Sequence, residues 1–274
     1  MHKKIIVLFA VFLALTSFSF AQNIKRTTYK NETVAFGAGG TLSITGAPNG
    51  SITIEGWNKN EIEVSAEIEV QAANEADLAE IAKVSGFILD PQFGHLRIMS
   101  VGTYDKEYMK RATKNFPKRL LNSLLKIDYK IKVPVYCDLD INSGTGDLTL
   151  SKVEGAMLIK AYEGNASLNL TGGMINATFG KGNVDVKINN RSWRGREASV
   201  QLASGTLNVQ FPNNMNAEID ASILRTGKIE NSITALKPRD SSKFSETSML
   251  AKAGSGGALL SFKVGDGTLK MSNW

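Results

Sequence analysis

Two aspartates, one histidine and two basic segments are the residues of this 274-residue chain whose types and spacing could do chemistry. Asp147 and Asp185 each follow a glycine of a regular series, and with those glycines as register marks they read as one outward column, two rungs apart, with Ser167 between. At a strand spacing of about 4.8 Å the carboxylates would lie roughly 9–10 Å apart, which suits the acid and base of an inverting glycoside hydrolase. An outward aspartate on a strand is more often simply solvated. No catalytic residue is assigned, and a carbohydrate-active enzyme on a β-helix scaffold stays the alternative reading.

His95 is the only histidine once the first 21 residues are set aside, so histidine-clustered metal sites are excluded. In DPQFGHLRIMS, His95 and Arg97 share one strand parity and Leu96 and Ile98 the other, which places His95 on the solvent side. Glycine at 146, 155, 164, 173 and 182 has the nine-residue beat of calcium-binding β-rolls, but the corner residues are Asp147, Asn165 and Asn183 where a calcium roll needs a row of aspartates. No glycine is followed by the Gly-Lys-Ser/Thr of a phosphate loop. No metal and no cofactor are expected.

The basic segments remain. In NNRSWRGRE, residues 189 to 197, Trp193 sits among Arg191, Arg194 and Arg196, and Lys118 with Arg119 forms a second site. Guanidinium groups beside an aromatic ring can hold an anionic glycan, a lipid headgroup or an envelope protein. The plainer reading is two solvated loops with the tryptophan packed back on the protein wall.

The elements that must carry these residues follow from the glycines. Aligning Gly146, Gly164 and Gly182 puts Leu148, Ala166 and Val184 in one column and Leu150, Leu168 and Val186 in the next, with polar Thr149, Ser167 and Asp185 between. That is the period of two of a strand with one buried face. Seven, five and three residues before each glycine the side chains are again apolar or small, and the rule extends to Gly205 and Gly267. Gly50 and Gly227 fit ahead of the glycine but are shifted by one residue behind it, as a bulge or longer turn would cause. A strand–turn–strand–turn unit of about 18 residues cannot bury its apolar face alone, so such units stack. The expected fold is all-β, a right-handed parallel β-solenoid, with a β-sandwich of hairpins as the alternative.

One short helix is expected over 74–86, where Leu78, Ile81 and Ala82 recur at helical spacing behind Asn74 as N-cap. Three excursions break the repeat. Residues 102–126 end in a Leu-rich stretch with helical spacing, 189–197 adds five residues between Gly182 and Gly205, and 237–248 reads as a polar mobile loop.

The chain opens with Lys3 and Lys4, an apolar run from Ile5 to Leu15 and small residues before Ala21, which is the pattern of a signal peptide cleaved after Ala21. The run is too short for a comfortable membrane span, and no later stretch reaches the roughly 20 apolar residues that one needs. No cysteine follows it to be acylated, so a lipoprotein is not expected. Removing 1–21 takes away two lysines and leaves 30 Lys plus Arg against 26 Asp plus Glu over 253 residues. A net charge of +4 is far from the dense basic footprint of a nucleic-acid binder. Cys137 is the only cysteine, which rules out an intramolecular disulfide, and it shares a strand face with Val133, Val135, Leu139 and Ile141 as a small buried hydrophobe.

GGTLSITGAPNGSITIEGWNKNEIEVSAEIEV (39–70), the entry IDYKIKVPVYCDLDINSGTGDLTL (127–150) and the glycine-marked rungs after it resemble the bacterial putative-adhesin family of β-strand-repeat domains of unknown function. The head GIN family of putative autotransporter adhesins is similar too. The resemblance covers most of 33–271 and implies a parallel solenoid on an exported or envelope-associated protein; it supplies no catalytic residues. The reading is a single domain over 22–274, periplasmic or at the cell surface, acting as a non-enzymatic adhesin-like binding module; a structural or signalling envelope component is a further alternative.

Overall fold

A computed structural model describes residues 23–239 and 242–274, so the leader expected over 1–21 lies outside the described residues. The repeat forms eight coils, each a strand, a corner and a second strand. In chain order they are Thr41–Thr45 with Ile52–Trp57 (coil 1), His95–Val101 with Leu125–Pro134 (coil 2), Asp138–Thr145 with Leu148–Ser151 (coil 3) and Ala156–Glu163 with Ala166–Leu170 (coil 4). Four more each run as one long strand through the corner: Met174–Ile188 (coil 5), Glu197–Phe211 (coil 6), Ala217–Asn231 (coil 7) and Leu259–Asn273 (coil 8).

Equivalent strands pair in parallel and in register, so Ala166 lies beside both Leu148 and Val184, as the glycine alignment requires. Parallel pairing overturns the sandwich of hairpins for the coils. The stacking order, however, is 2-1-3-4-5-6-8-7 and not the order of the chain. Coil 1 pairs with coils 2 and 3. Coil 8 pairs with coils 6 and 7.

Antiparallel strands close both ends, so the sheet is mixed where an all-parallel stack is expected. Glu61–Ala72 runs antiparallel to the second strand of coil 2, and Ile24–Ala35 lies outside it. Gly86–Gln92 folds back on the first strand of coil 2. At the far end Ser248–Ala253 pairs antiparallel with coil 7, and Lys237–Pro238 pairs with that strand in turn. The segment from 237 therefore begins as paired strand at Lys237–Pro238.

Alternation buries one column set between the two halves of each coil. Leu42, Ile54, Ile141, Leu150, Ile159, Leu168, Val186, Val200, Leu207 and Leu260 are fully buried, and each aliphatic side chain so placed contributes on the order of 2 kcal/mol. Phe211 and Phe262 meet edge to face at 5.8 Å between ring centroids. Tyr129 is buried in the end coil with its hydroxyl 2.7 Å from that of Ser100, and burial pushes the phenol above its ordinary range. Cys137 is buried as expected, and desolvation pushes its thiol up to about 12.

The corner between the two strands explains the glycine. A Cβ on Gly164, whose φ is +145°, would sit 2.1 Å from the carbonyl oxygen of Gly146, and one on Gly182 would sit 1.9 Å from that of Gly164. The backbone at each corner thus rests directly on the corner of the next coil. The intervening glycines make the other corner: a Cβ on Gly173 would lie 2.0 Å from the oxygen of Gly155. The shift seen at Gly227 is a one-residue irregularity between Ile223 and Thr226.

Helix α1 spans Glu75–Val84, with Asn74 accepting the Asp77 N–H at 2.9 Å and Leu78, Ile81 and Val84 buried. One helix is expected, and two α-helices are present among the described residues. Helix α2 covers Lys106–Ala112, capped by Asp105, which accepts the N–H groups of Glu107 and Tyr108. The Leu-rich end of this excursion is not helical beyond one 3-10 turn at Lys118–Leu120. From Leu125 the strand alternation of Leu125, Ile127, Tyr129 and Ile131 prevails, because it buries those four side chains in the end coil.

Gly164→Ala is expected to cost about 3 kcal/mol, because both the positive φ and the carbonyl contact must be relieved. Gly37→Ala, where a Cβ would meet nothing within 4 Å, should change stability by less than about 0.5 kcal/mol; urea midpoints of the two variants against native protein check the pair. Cys137 should stay unmodified by a thiol reagent at pH 8 in folded protein and react fully in denaturant, as counted by mass spectrometry.

Candidate functional site

The 189–197 segment connects coils 5 and 6, and hydrogen bonds hold it against its neighbours. Asn189 N–H donates to the Leu170 carbonyl at 3.0 Å, Gly173 N–H to the Arg194 carbonyl at 2.7 Å, and Asn216 N–H to the Arg191 carbonyl at 2.7 Å. Trp193 is buried, 8% exposed, and its indole N–H donates to the Gly173 carbonyl at 2.9 Å. As an aromatic ring offered to a ligand Trp193 is therefore corrected: its apolar body finds core to cover, and it anchors the loop.

The three arginines diverge from that anchor. Arg191 donates through Nε to the Asn214 carbonyl at 3.1 Å. Arg194 lies 3.5 Å from Glu154, an ion pair with its cation largely in solvent and therefore weak. Arg196 is exposed and has no ion-pair or hydrogen-bond partner among the described residues.

Lys118 and Arg119 belong to the excursion of coil 2, at one end of the stack, four rungs or roughly 19 Å along the axis from coil 5. The structure does not bring the two basic segments together. Arg119 bonds the largely buried Asp77 carboxylate of α1, so it ties the 3-10 turn to that helix. Lys118 is exposed without a partner among the described residues.

A cleft of about 330 Å³ opens beside Arg191. Three successive connections meet there: 189–196 between coils 5 and 6, 212–216 between coils 6 and 7, and 232–258 between coils 7 and 8. The middle one must step over coil 8, which is inserted between the coils it joins. Phe211, Met215, Ile233, Leu236 and Ala253 are buried residues of its wall. Arg191, Lys237, Asn213, Asn214, Asn216 and Asn273 supply its polar groups, and among the described residues no aspartate or glutamate lines it. Only Arg191 of this set is singled out by the sequence. The run PNNMN at 212–216 was the available signal, but asparagine there also reads as ordinary turn composition.

The carboxylate column does not exist as expected. Asp147 Oδ1 accepts the Asn165 N–H at 2.9 Å and Asn165 Oδ1 accepts the Asn183 N–H at 3.2 Å, a ladder along the corner. Asp185 instead aligns with Ser167 and Thr149 on the strand and accepts from Asn208 Nδ2 at 2.7 Å. Asp147 stands one residue after its glycine and Asp185 three, so they occupy different columns. His95 lies half-buried on the outer face with Nε2 2.8 Å from Ser43 Oγ, and no carboxylate bonds it among the described residues. Among the described residues no three His, Cys, Asp or Glu gather to hold a metal.

A second groove of about 400 Å³ crosses the outer face of the first strands, between the exposed Leu158 and Met174, with Asp138, Asn176, Glu197 and Ser199 around them. Asp138 and Glu197 are three rungs apart, roughly 14 Å, beyond the separation of an inverting pair.

No helix among the described residues is long and apolar enough to cross a membrane. No curated protein matches the chain. Among solved structures, a putative cell adhesion protein from Clostridium sporogenes ATCC 15579 is similar at a TM-score of 0.47 and 12% identity, over 90% of this chain and 100% of that one. A putative adhesin from Bacteroides fragilis NCTC 9343 is similar at 0.36 and 12%, over 89% and 97%. The family model described as Toastrack DUF4097 matches residues 21–272, and the chain, with its glycine-cornered coils, belongs to that family.

Proposed function

We propose that this protein is an exported, non-enzymatic binding module of the cell envelope or surface, adhesin-like in action. Its mature form is one domain over 22–274, wound as a right-handed coil in line with the hand of parallel crossovers. The leader composition supports export, and the lack of a cysteine after Ala21 supports a protein without a lipid anchor. Its contact site is the corner carrying Arg191, Arg194 and Arg196, with Trp193 as the anchor beneath; Lys118 and Arg119 form a second and separate basic point. The ligand is an anionic glycan, a lipid headgroup or an acidic envelope protein.

The observation that carries this reading is Arg196, without a partner among the described residues, beside two arginines whose guanidinium groups are largely unspent, on a loop already fixed by backbone bonds. A loop ordered before binding loses little entropy on binding, and donors without internal partners gain the most from an anion. The enzyme alternative lacks support on both counts raised above, since Asp147 and Asp185 stand in different columns and Asp138 and Glu197 are three rungs apart.

Native protein is expected to be retained on immobilised lipopolysaccharide or cell-wall fractions at low salt, and the triple variant Arg191→Ala, Arg194→Ala, Arg196→Ala to lose at least about tenfold in retention, in keeping with charge-dominated contacts. Equal retention of the two, or none for either, would sink the assignment of the corner.

A further inference from the structure

We propose that the cleft between the 189–196, 212–216 and 232–258 connections is a subsite for a carboxylate-bearing sugar residue, a uronic acid of an acidic polysaccharide. The inference deepens the binding reading above, with which it shares Arg191. Four observations on the cleft converge on this ligand.

Its size comes first. A volume of about 330 Å³ is at the small end of ligand pockets and matches one sugar ring better than a long chain. Its charge is the second. Arg191 and Lys237 line it and, among the described residues, no acid does. Arg191 spends only its Nε, leaving the terminal nitrogens without partners, and Lys237 Nζ has none among the described residues. Two uncompensated cations favour an anion over a neutral hexose, and a planar guanidinium matches a carboxylate in a forked pair.

The third observation is the amides. The side chains of Asn213, Asn214 and Asn273 have no hydrogen-bond partner among the described residues. Each amide offers donors and an acceptor together, which is what vicinal hydroxyls require. The fourth is the wall, where Met215, Ile233 and Leu236 are apolar yet buried. They close the floor of the cleft but offer too little exposed area to hold an acyl chain, which argues against a lipid occupant.

The frame is rigid where the ligand would sit. Asn216 accepts the Ser255 N–H at 3.0 Å through Oδ1 and donates through Nδ2 to Ser192 Oγ at 3.4 Å, so its side chain ties the three connections together. Gly254, at φ +55°, leaves room for that amide, since a Cβ there would come within 2.1 Å of Asn216 Oδ1. The cleft is thus formed before any ligand arrives.

Titration calorimetry of the full mature chain at low salt, with galacturonate and a galacturonate tetramer as probes and galactose and inorganic phosphate as comparisons, tests the site. Galacturonate and its tetramer should bind, galactose and phosphate at least tenfold more weakly, and Lys237→Ala should weaken galacturonate at least tenfold while its circular dichroism stays native. Binding of galactose as tight as galacturonate, phosphate as tight as galacturonate, unchanged binding by the Lys237→Ala variant, or no binding of galacturonate by native protein would each overturn the subsite. Lys237 lies outside the arginine corner, so retention of native protein on envelope fractions without galacturonate binding would overturn the subsite alone. Galacturonate binding without such retention would overturn only the wider reading.

Discussion

The contact on which the structure depends is that of one corner glycine with the carbonyl of the next. At every coil boundary from Gly50 to Gly227 a Cβ would come within 2.1 Å of a backbone oxygen on the neighbouring coil. Such an approach tolerates no side chain, and it also fixes the register. A strand shifted by one residue would put a side chain into the corner and turn its apolar columns outward together, so the two penalties reinforce each other. The parallel pairing, the buried columns and the Asp147–Asn165–Asn183 ladder all follow from holding that one contact constant along the stack.

The same contact governs where the chain is free to vary. Interior coils must keep the glycine corner short, because a neighbour rests on each side of it. Coil 2 and coil 7 have a coil on one side only; coil 2 makes the largest departure, replacing its corner by 102–124 with helix α2, while coil 7, between Ile223 and Thr226, and interior coil 1, between Thr45 and Ile52, each take up one extra residue. The order 2-1-3-4-5-6-8-7 has a further consequence. In a simple solenoid the first and last coils have one neighbour each and fray first. Here coils 1 and 8 are each held between two others, and the exposed coils are covered by antiparallel strands, which leaves little open edge for another chain to pair with.

Much of this was legible in the residues. Period two around each glycine predicts the buried columns, the one-residue shifts at Gly50 and Gly227 predict irregular corners, and Asn74 with Leu78 and Ile81 predicts α1; each is present. The stacking order was not legible, because a column rule sets register within a coil and is silent on which coil lies beside it: Gly267 fits against Gly205 and Gly227 equally well. The antiparallel caps share the period of two, so Ile62, Val64 and Ala66 look like any other strand. The cleft was hidden for a related reason. Its walls come from three connections and from Asn273 at the end of coil 8, and no spacing in the chain joins Arg191 to Lys237.

The placement of the cleft is itself a product of the inserted coil. Coils 6 and 7 are consecutive in the chain but two rungs apart in the stack, roughly 9–10 Å at ordinary strand spacing, so Pro212–Asn216 has to bridge the edge of coil 8. A bridge of five residues over a rung cannot lie flat against it, and Arg191 from the preceding connection and Ile233–Lys237 from the following one close the sides. The interior corners of the glycine edge, each seated on the next, offer no such opening. The cleft therefore lies on the return edge at the place where a coil is inserted, and the sequence of those connections can change its polar groups without touching the columns that hold the coils together.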